Sequence, residues 1–133
     1  MSAAKEAVAA LLAKYNDALN ESSTDAVMAL YADDGVFMPP HSPSATGSNA
    51  VRKAYDAVFS AITLNVKFTV AEIVEVAPDW AFARTNSAGT TLDHATGTES
   101  AEANQELFIL QKDRDGRWKI ARYSFSSTNP PKH

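Results

Sequence analysis

An α+β domain is what this sequence predicts, on three observations. Apolar residues recur at helical spacing through the first part of the chain and alternate at strand spacing through the second. The 133 residues suffice for one core and would leave two cores poorly buried.

Each element has its own warrant. From Ser2 to Leu19 the large apolar residues Val8, Leu11, Leu12, Tyr15 and Leu19 fall at steps of three and four, with Lys5, Glu6, Lys14 and Asp17 off that stripe. This predicts an amphipathic helix. Asn20-Glu21-Ser22-Ser23 breaks it, Thr24 is placed to cap a second short helix carrying Val27, Met28, Leu30 and Tyr31, and Asp33-Asp34-Gly35 ends that helix. Val36-Phe37-Met38 reads as a short strand, and Pro39, Pro40 and Pro43 make the stretch to Gly47 irregular. Ser48 is placed to cap a third helix with the stripe Val51, Ala54, Tyr55, Val58, Phe59, Ile62.

The period then changes to two. Val66, Phe68 and Val70 open a strand that runs through Val76 to a turn at Ala77-Pro78-Asp79, and Trp80 to Gly89 is the next. Residues 90 to 100 read as a mobile polar connection. Leu107–Lys112 and Trp118–Ser127 form a hairpin about Asp113-Arg114-Asp115-Gly116, and the chain ends in a polar tail. Four long strands joined by tight links are expected to be antiparallel, with the three N-terminal helices on one face. A twisted sheet of this size curls, so the sequence predicts a cavity between helices and sheet.

Composition removes several functions. There is no cysteine, hence no disulfide, thiolate metal site or thiol nucleophile. The formal charge is −4 and the basic residues are scattered, which argues against nucleic acid as a partner. No apolar run is long enough to span a membrane, and Lys5, Glu6 and Lys14 interrupt the N-terminal segment as they would not in a signal peptide, so a cytoplasmic protein is expected. His41, His94 and His133 are far apart and lack a ligand-spaced partner, so no metal site is expected, and His94 and His133 read as exposed. No nucleotide-binding or acyl-transfer motif occurs, and no cofactor is implied. Acid/base work or simple binding remains.

The candidate site residues lie on the strands and on the first helix. Trp80, Phe82, Arg84 and Asn86 share one face of their strand, and Asn104, Glu106, Phe108 and Leu110 share one face of another. Both faces run from apolar to polar, as in a pocket with an apolar floor and a polar mouth; an Arg84–Glu106 cross-strand ion pair is the plainer alternative. On the last strand either Ala121, Tyr123 and Phe125 or Trp118, Ile120 and Arg122 face inward. Tyr15 sits on the buried stripe of its helix, so its hydroxyl needs a partner, whether a protein group or a ligand carbonyl.

The stretch KYNDALNESSTDAVMALYADDGVFMPP at 14–40, the helix that follows Gly47 and NQELFILQKDRDGRWKIARYSFS at 104–126 resemble the nuclear transport factor 2-like superfamily, in its SnoaL-like and ketosteroid isomerase-like branch. The resemblance implies a cone-shaped α+β fold over the whole chain, residues 1–133. It also implies roles. Tyr15 matches the tyrosine that donates to the substrate oxyanion in ketosteroid isomerases. Glu106, or secondarily Asn104, matches the protonated acid that assists it, a carboxylic acid kept neutral by its apolar site. The general-base position falls on Pro39, which has no acceptor, leaving His41 as the nearby proton carrier.

The expected function is binding of a small, mostly apolar molecule bearing a carbonyl or hydroxyl group, with cofactor-free isomerase, cyclase or dehydratase chemistry if it is an enzyme. Tyr15, Glu106 and His41 are the candidate catalytic residues. Phe37, Trp80, Phe82, Arg84, Asn86, Asn104, Phe108, Tyr123 and Phe125 are the candidate ligand contacts. The alternative is a non-catalytic association domain. The resemblance implies a homodimer through the sheet, with Trp118 and Ile120 on its outer face.

Overall fold

The Ser2 hydroxyl accepts the Lys5 N–H and opens α1 (Ala3–Asn20), in a computed structural model that describes residues 2–130. Val8, Leu11, Leu12, Tyr15, Ala18 and Leu19 form its buried stripe. Ser23, one residue earlier than expected, caps α2 (Thr24–Met28) by accepting the Ala26 N–H. β1 (Tyr31–Met38), the two-residue β2 (Ala45–Thr46) and α3 (Ser48–Ala61) follow. Gly47 holds the cap position of α3 at φ +87°, and the Ser48 hydroxyl donates to the Asp33 carbonyl instead of capping. β3 (Ile62–Ala77), β4 (Trp80–Asp93), β5 (Glu99–Lys112) and β6 (Trp118–Ser127) complete the chain.

The six strands make one sheet in the order β2-β1-β6-β5-β4-β3. It is mixed and not wholly antiparallel, because β1 runs parallel to β6. The expected second helix stops short: β6 claims the Leu30 carbonyl through the Ile120 N–H (2.8 Å), and Tyr31 begins a strand. Asp33, Asp34 and Gly35 are weak strand formers, and they sit where the β1/β6 register is irregular, which is why they read as a helix stop. The third helix follows the first two strands rather than standing with α1 and α2 ahead of the sheet.

Residues 90 to 100 mostly extend the β4–β5 hairpin. Its register continues from Gly89↔Glu102 to Leu92↔Glu99, and the turn is tied down by exposed His94, whose ring contacts the Ser60 carbonyl (2.8 Å) and the Thr63 hydroxyl (2.7 Å). His133 lies outside the described residues.

α1 rests on β3, the edge strand. One turn apart, Asn16 and Asn20 treat that edge as a partner strand would: both side-chain amides donate to the Val66 carbonyl, while their oxygens accept the Phe68 and Val66 N–H groups. The helix thereby satisfies backbone groups that an open edge would expose. The core joins α1 and α3 to the inward residues of the strands. Ala81 and Ala83 of β4 lie opposite Leu110 and Phe108 of β5, small against large. In β6 both Ile120 and Ala121 are buried, because Ile109 pairs with Arg122 while Leu110 pairs with Ile120. That extra residue is a bulge, and it switches which residues face inward.

Candidate functional site

The bulge resolves the two readings of the last strand: both were half right. Trp118 and Ile120 face the core before the bulge, Tyr123 and Phe125 face it after, and Arg122 is exposed. Trp118 and Ile120 therefore do not lie on the outer face.

A cavity of about 140 Å³ opens between α1, α3 and the inner face of the sheet, lined by Tyr15, Phe37, Tyr55, Phe68, Tyr123 and Phe125, by aliphatic residues of α3 and β3, and by Ser87, Glu102, Asn104 and Glu106. It is about the size of engineered cavities that take benzene, and below the roughly 300 Å³ from which drug-sized pockets start.

Tyr15 is the centre of the apolar wall. Its ring meets Tyr55, Phe68, Phe108 and Tyr123 edge to face, with centroids 5.4–6.3 Å apart. Its hydroxyl lies 2.6 Å from the Tyr55 hydroxyl, which lies 2.7 Å from that of Tyr31. The three phenols form a buried chain from α1 through α3 to β1. Burial pushes the ionisation of Tyr15, Tyr31, Tyr55 and Tyr123 upward, so all four keep their protons at neutral pH.

Glu106 is the buried carboxylate, 5% exposed. Thr85 donates to one of its oxygens and Ser87 to the other, each at 2.6 Å. Burial raises its ionisation; the Ser87 and Thr85 hydroxyls oppose that rise, and Glu102 adds to it. Two residues toward the hairpin turn, Asn104 donates to Glu102 at 2.7 Å. Among the described residues no lysine, arginine or histidine lines the cavity.

Tyr15, Phe37, Asn104, Glu106, Tyr123 and Phe125 are thus brought together at one cavity. Phe108 is fully buried behind it, stacked on Tyr123 with centroids 4.2 Å apart. Four strand residues need correction. Trp80, Phe82, Arg84 and Asn86 lie on the outer face, because the register sets Thr85 opposite Glu106 and Arg84 opposite Leu107. Directly opposed residues share a face, so Arg84 cannot meet Glu106; it pairs with Glu72 instead. His41 is exposed, at φ +64° in the loop after β1, and does not line the cavity. Sequence reasoning missed Tyr55, Ser87, Thr85 and Glu102 as site residues. The signal available was the small face of β4, Ala81-Ala83-Thr85-Ser87, since only a small face fits under helices opposite Phe108 and Leu110.

Among the described residues no helix is long and apolar enough to cross a membrane, and no three side chains of metal-ligating type come together. No curated protein matches the sequence. Among solved structures, a ketosteroid isomerase-like protein from Erwinia carotovora atroseptica shares 35% identity over 98% of this chain and 100% of its own, with a TM-score of 0.94. A provisionally named calcium/calmodulin dependent protein kinase II association domain from Xanthomonas campestris shares 25% identity over 98% of this chain and 91% of its own, at a TM-score of 0.78. A nuclear transport factor 2-like superfamily protein from Salmonella enterica has the same fold at 13% identity, covering 96% of this chain and 93% of its own, with a TM-score of 0.82. The SnoaL-like domain description matches residues 12–122. This chain therefore belongs to the SnoaL-like domain family, and its fold is the nuclear transport factor 2-like one.

Proposed function

We propose that the cavity binds a small, uncharged, mostly apolar molecule through its carbonyl or hydroxyl oxygen and performs cofactor-free acid/base chemistry on it. The observation that carries this reading is the phenol chain. Either oxygen can donate in each contact, and in the sense where Tyr31 donates to Tyr55 and Tyr55 to Tyr15 the Tyr15 proton is left for a guest oxygen, in a wall whose ring contacts already fix the ring's position. A donor held in place before the guest arrives stabilises developing negative charge with little reorganisation. The likeness to the ketosteroid isomerase-like structure supports the same direction, on 35% identity over nearly the whole chain. The cavity volume argues for a one-ring guest rather than a steroid.

Charge sets the selectivity. A carboxylate guest would be buried beside Glu106 and Glu102 with no cationic side chain among the described residues of the lining, which disfavours it strongly. Calorimetric titration with cyclohexanone and with cyclohexanecarboxylate tests this. The ketone is expected to bind at least about tenfold more tightly, a difference of about 1.4 kcal/mol; equal affinity, or preference for the acid, counts against the reading.

The association reading is favoured by a separate observation, the uncovered outer face. Val74 lies opposite Phe82, Phe82 opposite Ile109, and Leu107 beside them is 44% exposed. We infer that a second copy covers this face in a homodimer, leaving each cavity on the far side of its own sheet. Sedimentation at micromolar concentration should give a dimer for the native chain and a folded monomer for Leu107→Glu; a native monomer contradicts the inference.

A further inference from the structure

We infer that Glu102 is the proton acceptor of the cavity. The inference rests on the reading of the site as an acid/base centre for an uncharged carbonyl compound, and assigns the partner that chemistry requires and that neither Pro39 nor exposed His41 supplies.

The titratable groups lining the cavity are Tyr15, Tyr55, Tyr123, Glu102 and Glu106. The phenols stay protonated and serve as donors. Glu106 has a hydroxyl on each oxygen and sits in the more buried place, so it is engaged on both sides. Glu102 differs on each count. It is half-buried, and its one side-chain partner among the described residues is Asn104, which takes Oε2 and leaves Oε1 free. Glu102 is part of the cavity lining, and its cross-strand neighbour is Gly89, which sets no side chain beside the carboxylate. Gly89 cannot easily be anything else. A Cβ there would lie 2.0 Å from the Asn65 carbonyl oxygen of β3.

The chemistry follows from the placement. Glu102 Oε1 takes a proton from the carbon beside the guest carbonyl, the C–H electron pair becomes the C=C bond of an enolate, and the carbonyl pair moves onto oxygen, where Tyr15 donates to it. Return of the proton from the Glu102 carboxyl to the same carbon restores the guest, and return to a conjugated position isomerises it. No other reactant is consumed. Of the four carboxylate oxygens of Glu102 and Glu106, Glu102 Oε1 is the one with no hydrogen-bond partner among the described residues, and so the one placed to accept the proton.

Cyclohexanone in deuterium oxide is the probe, with loss of the proton signal beside the carbonyl followed by NMR and binding measured separately by calorimetry. The native chain should catalyse exchange. Glu102→Gln should slow it by about 100-fold or more while changing affinity less than about threefold, and Glu102→Asp should restore part of the rate. If Glu102→Gln binds the ketone and exchanges it at the native rate, the assignment is overturned and the broader reading of the site survives. A native chain that binds the ketone without exchanging it overturns the assignment and the acid/base half of that reading. No binding at all overturns both.

Discussion

Tyr15→Phe is expected to lower cyclohexanone proton exchange by about 10²–10³-fold, the range seen when one pre-aimed oxyanion donor is removed. The ring contacts with Phe108, Tyr123, Phe68 and Tyr55 survive the substitution, so the cavity keeps its shape and the loss falls on the rate. Stability should change far less. The Tyr55 hydroxyl loses one of two phenol partners but keeps Tyr31, and a single lost buried hydrogen bond costs about 1 kcal/mol. Steady-state rates and thermal melts on the same sample separate the two effects. Exchange within about threefold of native would remove Tyr15 from the chemistry, whatever the melt shows.

Phe108→Ala is expected to have the largest effect on stability. Phe108 is fully buried, stacks on Tyr123 at 4.2 Å and meets Tyr15 and Phe68 edge-on. Ala83 lies directly opposite on β4 and offers nothing to refill the space. Truncations of this kind cost about 3–5 kcal/mol, against a total of about 5–15 kcal/mol for an ordinary domain. Chemical denaturation should show the midpoint falling with an unchanged slope. A loss below about 1 kcal/mol would mean that the aromatic wall is not packed as described, and Tyr15 would lose its support.

How much of this was legible in the sequence depended on which physical rule governed each residue. Helical stripes and strand alternation are local, and α1, α3 and the four long strands followed from them. The site needed register, which is not local. Trp80, Phe82, Arg84 and Asn86 look like an inner face because they carry the large apolar groups, yet the inner face is the small one, since Phe108 and Leu110 across the strand fill the space. Shifting the pairing by one residue exchanges the two faces, and nothing near Arg84 announces the register. In β6, the extra residue at Ala121 put apolar side chains on both apparent faces. Tyr31 and Tyr55 each read as ordinary members of apolar stripes. Only the packing of α3 beside β1 brings their hydroxyls within 2.7 Å of one another and makes a relay behind Tyr15. Glu106 was found because a carboxylate between Asn104 and Phe108 breaks a buried face. Glu102 escaped notice because it falls between the polar connection read over residues 90 to 100 and Asn104, the first residue singled out on that strand face.

The central claim is that the guest enters the space between Tyr15 and Glu106, not the outer face of the sheet. Aromatic ring resonances of the native chain, recorded by NMR while cyclohexanone is added, address it most directly. Saturable shifts in Phe37, Tyr55, Tyr123 and Phe125, with Trp80 and Phe82 unmoved, are the result expected. Shifts confined to Trp80 and Phe82, or none at any ring, would contradict it.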